Sequence, residues 1–366
     1  MTFISSPQDL FKPVRTNWAF LAGIAVHLLF ALSFFVVLAL ATTRAQAEEL
    51  ACNGKNLMDV MAEEQPETLA GILAEAAKVP NGNSLLWKIE KEGVSPSWLY
   101  GTMHTADPRV LELNDAAQSA YDTATTVVTE LKDIANVDRK MLAMMADPEF
   151  AMLPDGATLQ DLLDEEGYAS VETVLESRNM PMTFASRMKP WLVFSLISIP
   201  ECELVRKGQG NAVLDQMLAK RALEQGKSLV GLETVEEQIS AIAGLPLDVQ
   251  ALLLADTAAM GPILDDVFAT MTELYLDGQI TTVMPLIQAM SADADTADGD
   301  SDAKAGAYAA FEKRLVETRN HTMAERLQPV LADGNAFIAV GALHLPGEEG
   351  VVQLLRDGGY TVTAVR

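Results

Sequence analysis

Two histidines occupy the same short pattern, 240 positions apart: Gly101-Thr102-Met103-His104 and Gly341-Ala342-Leu343-His344. The chain has four histidines, so half of them sit three residues after a glycine where an apolar run meets a turn. Glycine lets the backbone turn closely at such a strand end. A catalytic metal site uses three protein ligands and leaves one position for water. Two imidazoles and one carboxylate meet that need, provided each imidazole is neutral and its second nitrogen is held by another group. Glu130 is the fitting carboxylate. It lies in Val127-Val128-Thr129-Glu130-Leu131, an apolar strand in which a charge wants a metal or a cationic partner. An arginine could meet that charge as well as a metal could.

Arg319 is the second anomaly. Leu315 and Met323 lie four residues to either side of it, and a four-residue step nearly completes a helical turn, so Arg319 falls on an apolar ridge. A guanidinium there seeks a carboxylate or a substrate carbonyl, or snorkels to the edge of the stripe. Asn320 follows it and can donate as well. Glu233 ends an apolar run over 229–232, where it either enters the site or caps the helix that begins near Val235. Asp215 shares a helical stripe with Leu214 and reads as a structural partner of Arg319 or Lys220. Asp107 starts the turn after His104. His321 falls on another side of its helix and reads as surface, and Trp98, Tyr100 and Trp191 read as core.

The elements that must position these groups follow from periodicity. A helix is expected over 57–79 and a hairpin from strands 84–90 and 97–102, the second ending in the first Gly-x-x-His. A helix over 111–124 leads to a strand over 125–131. Helices fill about 138–225, a short strand covers 228–232, and helices resume over 235–290. Residues 291–306 are rich in Asp and Ala and read as a flexible acidic surface loop. A long helix over 308–331 precedes the strand 336–340, which ends in the second Gly-x-x-His. A short helix over 348–356 and a strand over 360–365 close the chain. The expected class is α+β: a mixed sheet built from N- and C-terminal strands, with a large helical middle at about 138–330.

At 366 residues, 49% hydrophobic and 21% charged, the chain is globular and long enough for one large domain or two small ones. Its net charge of −25 argues against nucleic acid as a partner. Lys12 and Arg15 precede an uncharged apolar run over 19–41, followed by Ala45-Gln46-Ala47. That is the layout of a secretory signal peptide, and the run is also long enough to span a bilayer. Residues 1–47 are therefore a signal peptide or an N-terminal membrane anchor, and 48–366 form the working domain. The expected location is periplasmic or extracytoplasmic, with membrane contact only through the N-terminal segment. Cys52 and Cys202 are the two cysteines. An oxidising compartment would pair them, and two buried thiols are the alternative.

The stretches Cys52-Asn53-Gly54-Lys55-Asn56-Leu57, Leu99-Tyr100-Gly101-Thr102-Met103-His104, Thr129-Glu130, Gly231-Leu232-Glu233-Thr234 with Gln238, Arg319-Asn320, and 337–347 follow one another in a familiar order. In this the sequence resembles the TraB/GumN family, which includes the Tiki proteases. The resemblance implies a fold related to the erythromycin esterase and ChaN-like group. It also implies a metal-dependent hydrolase, acting on peptide bonds in the Tiki branch with manganese or cobalt; zinc suits the same donors. The family's histidines map to His104 and His344, its glutamate to Glu130, and its Arg-Asn pair to Arg319 and Asn320.

Three functions compete on this basis. The first is an exported metallohydrolase of peptidase type. In it His104, Glu130 and His344 hold the metal, Arg319 or Asn320 meets the oxyanion, and Glu233 is a reserve ligand or base. The second is a non-enzymatic periplasmic binding protein for a peptide, haem or metal. The third is a structural envelope protein.

Overall fold

Leu86 and Trp87, Leu99 and Tyr100, Val127 and Val128, and Phe337 and Ile338 are consecutive pairs, and every member is buried. Side chains alternate across a strand, so burial of both members requires a sheet covered on both faces. The computed structural model describes residues 52–131, 137–293 and 301–365. The expected signal peptide or membrane anchor over 1–47 lies outside them. Among the described residues no single helix is long and apolar enough to cross a membrane.

The chain enters through two helices, α1 (Leu57–Glu64) and α2 (Pro66–Ala76), where the spacing predicts one. Pro66 separates them: it has no N–H to extend α1 and opens α2 at its first turn. Among the described residues six strands follow: β1 (Leu86–Lys91), β2 (Val94–Thr102), β3 (Thr126–Leu131), β4 (Ser228–Glu233), β5 (Ala336–Gly341) and β6 (Thr361–Val365). Their order in the sheet is β4-β3-β5-β2-β1-β6. The β4-β3, β3-β5 and β5-β2 pairs are parallel, and β1 is antiparallel to both β2 and β6. The fold is thus α+β around a mixed sheet, as the sequence leads one to expect.

One face of the sheet carries Leu86, Tyr100, Val127 and Phe337, packed against α3 (Asp115–Thr123) and α4 (Leu214–Glu224) through Tyr121, Leu214 and Leu218. Asn114 caps α3 by accepting from the Ala117 N–H at 2.9 Å, so α3 begins four residues later than the 111 that periodicity suggests. Leu111 belongs to a separate turn, Pro108–Leu111, capped by Asp107. The helical middle includes α5 (Leu264–Leu276), which packs on α1 and its surroundings through Leu57, Met61, Val267 and Leu274.

The stretch expected to be a flexible acidic loop is helical wherever it is described. Residues 291–293 end the helix Val283–Asp293, and 301–306 open α6 (Ser301–Glu312); 294–300 lie outside the described residues. Alanine explains the difference. It is the strongest helix former, so an Ala-rich run extends a helix even where its acids suggest a loop. A π-helical turn, Lys313–Glu317, joins α6 to α7 (Thr318–Asp333), so the expected long helix is longer and carries a bulge. The second face of the sheet, with Trp87, Leu99, Val128 and Ile338, is covered by α7 and α8 (Val351–Asp357) through Met323, Leu327, Val352 and Leu355.

Candidate active site

Parallel pairing puts the C-terminal ends of β4, β3, β5 and β2 on one edge of the sheet. Ligands in such sheets bind beyond those ends. Thr102 lies opposite Gly341 and Leu131 opposite Glu233. The two Gly-x-x-His turns therefore leave the sheet side by side, with Glu130 and Glu233 on the next strands over.

Neither motif glycine has a positive φ; what they provide is space. A Cβ on Gly341 would stand 3.0 Å from Glu130 Oε1 and 3.4 Å from His344 Cδ2. A Cβ on Gly101 would meet Leu345 Cδ1 at 2.6 Å and the Ala342 Cα at 3.0 Å.

Glu130 is buried and fully engaged. Its Oε1 accepts from the Gly341 N–H at 2.5 Å. Its Oε2 accepts from Arg319 Nη2 and from Gln238 Nε2, both at 2.8 Å. Arg319 also donates through Nη2 to Glu233 Oε2 at 2.7 Å and through Nε to both Glu233 oxygens at 3.1 Å. Arg319 thus bridges two buried carboxylates rather than snorkelling. Burial pushes the Glu130 carboxyl up, but His344, His104 and Arg319 as neighbouring cations, with the Gly341 N–H, hold it down to about 2. Glu233 enters this cluster, and Thr234 instead caps the helix Val235–Ala243 in a capping box with Glu237.

His344 is buried beside Glu130, with Nε2 3.8 Å from Glu130 Oε1, beyond hydrogen-bond reach. Its Nδ1 lies 2.6 Å from Asn320 Oδ1, and Asn320 Nδ2 donates to the Glu349 carbonyl at 2.8 Å. The second bond fixes the amide orientation, so Oδ1 accepts and His344 Nδ1 carries the proton. Burial pushes His344 down to about 4, which keeps the ring neutral at pH 7 with its Nε2 lone pair on the Glu130 side. Asn320 uses both ends of its amide here and stands behind His344, not at the cavity wall.

His104 is 57% exposed, and its Nε2 is 3.4 Å from Asp215 Oδ2. Thr102 Oγ1 donates to Asp215 Oδ1 at 2.8 Å. Asp215 therefore partners His104 and Thr102 rather than Arg319 or Lys220. Its Oδ2 is buried without a hydrogen bond, and burial pushes the carboxyl up against the opposing pull of His104. The loop after His104 is pinned by Glu203, which accepts from the Ala106 N–H at 2.8 Å. Glu203 follows Cys202, which is disulfide-bonded to Cys52. His321, outside this cluster, is exposed and paired with Glu349 at 2.6 Å. Tyr100 and Trp191 are core, and Trp98 is half-buried.

These groups open onto one cavity of about 330 Å³, whose wall includes His104, Glu130, Arg319 and His344. Asn320, Glu233 and Asp215 are not on that wall. Among the described residues, no three His, Cys, Asp or Glu side chains are grouped so as to hold a metal as they stand. The donor chemistry nevertheless fits a divalent ion. His344 has a lone pair directed by a partner on its other nitrogen, Asp215 keeps an orphaned buried oxygen beside His104, and the missing Cβ of Gly341 leaves a cradle between Glu130 and His344.

Sequence reasoning gave Asp215 the wrong partner, named Gln238 only within the family stretches, and missed Tyr275. Asp215 carried a usable signal. Leu218, Ala219 and Ala222 stand three, four and seven residues beyond it and are buried with it, the same intrusion on an apolar face that singles out Arg319. Tyr275, which donates to the Gly101 carbonyl at 2.9 Å, carried none.

The model of the TraB/PrgY/gumN family matches residues 85–364. Among curated proteins, Metalloprotease TIKI2 of Danio rerio is 25% identical over 322 residues, which cover 76% of this chain and 60% of the relative. Metalloprotease TIKI1 of Homo sapiens is 25% identical over 321 residues, covering 76% and 61%. The uncharacterized protein YbaP of Escherichia coli K12 is 25% identical over 244 residues, covering 65% and 84%. The match spans about 60% of the length of the TIKI relatives. No solved structure matches.

Proposed function

The chain belongs to the TraB/PrgY/gumN family, and on that premise we propose that it is an exported, metal-dependent hydrolase that cleaves peptide bonds. Support comes first from one observation: the ends of parallel strands bring His104, Glu130, Arg319 and His344 onto the wall of a single cavity. The metalloprotease names of the TIKI relatives and the disulfide, which suits an oxidising compartment, agree with it.

In this reading His104, His344 and Glu130 hold a divalent ion, manganese or cobalt by preference and zinc by the same donor set. Glu130 would do so as a carboxylate whose Oε1 accepts from the Gly341 N–H. When bound, such an ion acidifies a water and polarises the scissile carbonyl. Hydrolysis breaks the C–N bond, with water supplying hydroxyl to the acyl carbon and a proton to the departing amine. The chain's own residues prepare this. Asn320 fixes the His344 tautomer, and Asp215 faces His104. Arg319 Nη1 spends one bond on the Leu315 carbonyl at 3.1 Å, and its remaining N–H is the donor for the developing oxyanion. Glu233, with both oxygens on Arg319, holds that guanidinium in place and is not the base.

A second reading, a binding protein for a peptide, haem or metal, draws support from the largely apolar wall of the same cavity. One comparison separates the two: metal content and peptide cleavage of the wild type and of the His104→Ala/His344→Ala variant. The hydrolase reading expects about one equivalent of metal and cleavage, both lost in a folded variant. Equal metal binding by the two proteins would remove the metal mechanism. Tight peptide binding without turnover would favour the second reading.

A further inference from the structure

The cavity is polar at one end only. Its imidazole, carboxylate and guanidinium groups are those of His104, Glu130, Arg319 and His344, near the ends of β2, β3 and β5. The rest of the wall is apolar apart from Thr102 and Tyr275, and the Tyr275 hydroxyl is turned onto the Gly101 carbonyl. Three regions build the half-buried apolar part, beside the buried Ile280 and Val283. Phe268 and Met271 come from α5, Phe311 and Leu315 from the junction of α6 with the π turn, and Met103 and Leu343 from the two Gly-x-x-His turns.

All six are half-buried, in contrast to the fully covered carbons of the sheet core. They keep apolar surface on the wall of one cavity, and contiguous apolar surface of that kind marks a binding site. In both motifs the residue just before the histidine is apolar and lines the cavity. The apolar wall therefore runs up to the reacting end without a break. A charged guest would find no charged partner along Phe268, Met271, Phe311 and Leu315, because the charged side chains of the wall stand at its other end. Burying an unpaired charge is costly. A volume of about 330 Å³ stands at the small end of ligand pockets, roughly 300–1,000 Å³, a size for one large side chain with adjoining backbone.

We propose that this wall is a side-chain pocket selecting peptides with one bulky apolar residue (leucine, methionine or phenylalanine) beside the bond presented to His104 and His344. Phe268, Met271, Phe311 and Leu315 are its specificity-determining residues. The assignment of a cleaved bond rests on the hydrolase reading; the preference for the apolar side chain does not.

The test uses blocked pentapeptides that differ only in a central Leu, Phe, Ala, Lys or Glu. Cleavage by the full-length protein is measured with manganese, cobalt or zinc. Binding is measured by calorimetry on the full-length His104→Ala/His344→Ala variant. Leu and Phe peptides should exceed Ala by about 10-fold or more and Lys or Glu by about 100-fold, in kcat/KM and in affinity alike. Met271→Asp should shift the Lys-to-Leu ratio toward Lys by at least about 10-fold, and Phe311→Ala should reduce the Phe-to-Ala ratio if the first variant fails to fold. Selective binding without cleavage would keep the pocket and sink the hydrolase. Cleavage indifferent to the central residue, or absence of selective binding, would overturn the pocket.

Discussion

His104 and His344 share a motif, a sheet edge and a cavity wall, but their surroundings differ. His104 is 57% exposed and stands against the carboxylate of Asp215 from α4. His344 is 6% exposed and stands against the amide of Asn320 from α7. These two helices cover opposite faces of the sheet. The motif delivers an imidazole to the end of a strand; the helix behind that strand decides whether an anion or a neutral dipole backs it. A repeated pattern in sequence therefore marks a shared position and leaves the chemistry of each copy to its neighbours.

The largest expected contrast is between the two alanine variants. On the proposed hydrolase reading, both should lose about 1,000-fold or more in peptide cleavage. Only His344→Ala should lose stability, by about 2–4 kcal/mol, since it empties a buried site and strands Asn320 Oδ1. His104→Ala should stay within about 0.5 kcal/mol, as exposed positions do. Denaturant unfolding of the pair reads this, and equal losses would contradict the difference in burial.

Exchanging the backing groups should give a smaller effect. Asn320→Asp puts an anion behind His344, so its pKa should climb from about 4, because an opposite charge favours the protonated ring. In the reciprocal variant, Asp215→Asn, stability at neutral pH should hold or rise. Burial pushes that carboxyl up, so its ionised form is the costly one, and a neutral amide avoids the cost. Imidazole titration by NMR and thermal melts check the two directions. An unmoved His344 pKa would show that burial, not the partner, controls it.

The smallest effect is the dependence of stability on mild acid. His344 is neutral in both folded and unfolded chains above its ordinary value of 6.5. Between 6.5 and about 4 the unfolded chain takes a proton that the folded chain refuses, so stability falls as pH drops through that window and then levels off. Glu130 contributes in the same direction lower down: its share is complete above 4.5 and is lost as pH falls through about 2. His344→Ala should flatten the first slope and weaken the second, since the His344 cation is among the groups that hold Glu130 down. Unfolding curves at pH 7, 5 and 3.5 would expose a slope that persists in the variant and so refute the assignment.

Much of this was legible because it broke a local pattern. Glu130 in a run of β-branched residues and Arg319 between Leu315 and Met323 each violate the periodicity around them, and both proved to meet at 2.8 Å. The glycines before the histidines were legible as a need for close approach, although the reason is the room they leave for Glu130 and Leu345 rather than an unusual φ. Asp215 was harder. Its partner is 111 positions away in the sequence, and a single acid beside Leu214 looks like the edge of an amphipathic stripe. The division of 57–79 at Pro66 could have been read from proline alone. The helix over 301–306 was hidden by the Asp-rich run before it, although its own alanines favour helix and Ala307 and Tyr308 just beyond share a buried cluster with Leu253.

The pairing of β2 with β5 has a consequence in time. Residues 98–102 bond to 337–341, so the two strands that carry the histidines are separated by nearly the whole described chain. Such distant contacts close late and slowly. As the ribosome makes the chain, Asp215 and Glu233 emerge long before Arg319, and the second histidine comes after all of them. No nascent fragment that stops short of residue 344 contains even a partial version of the cavity with both imidazoles. The cavity wall that carries both imidazoles is therefore complete only once β5 has paired with β2.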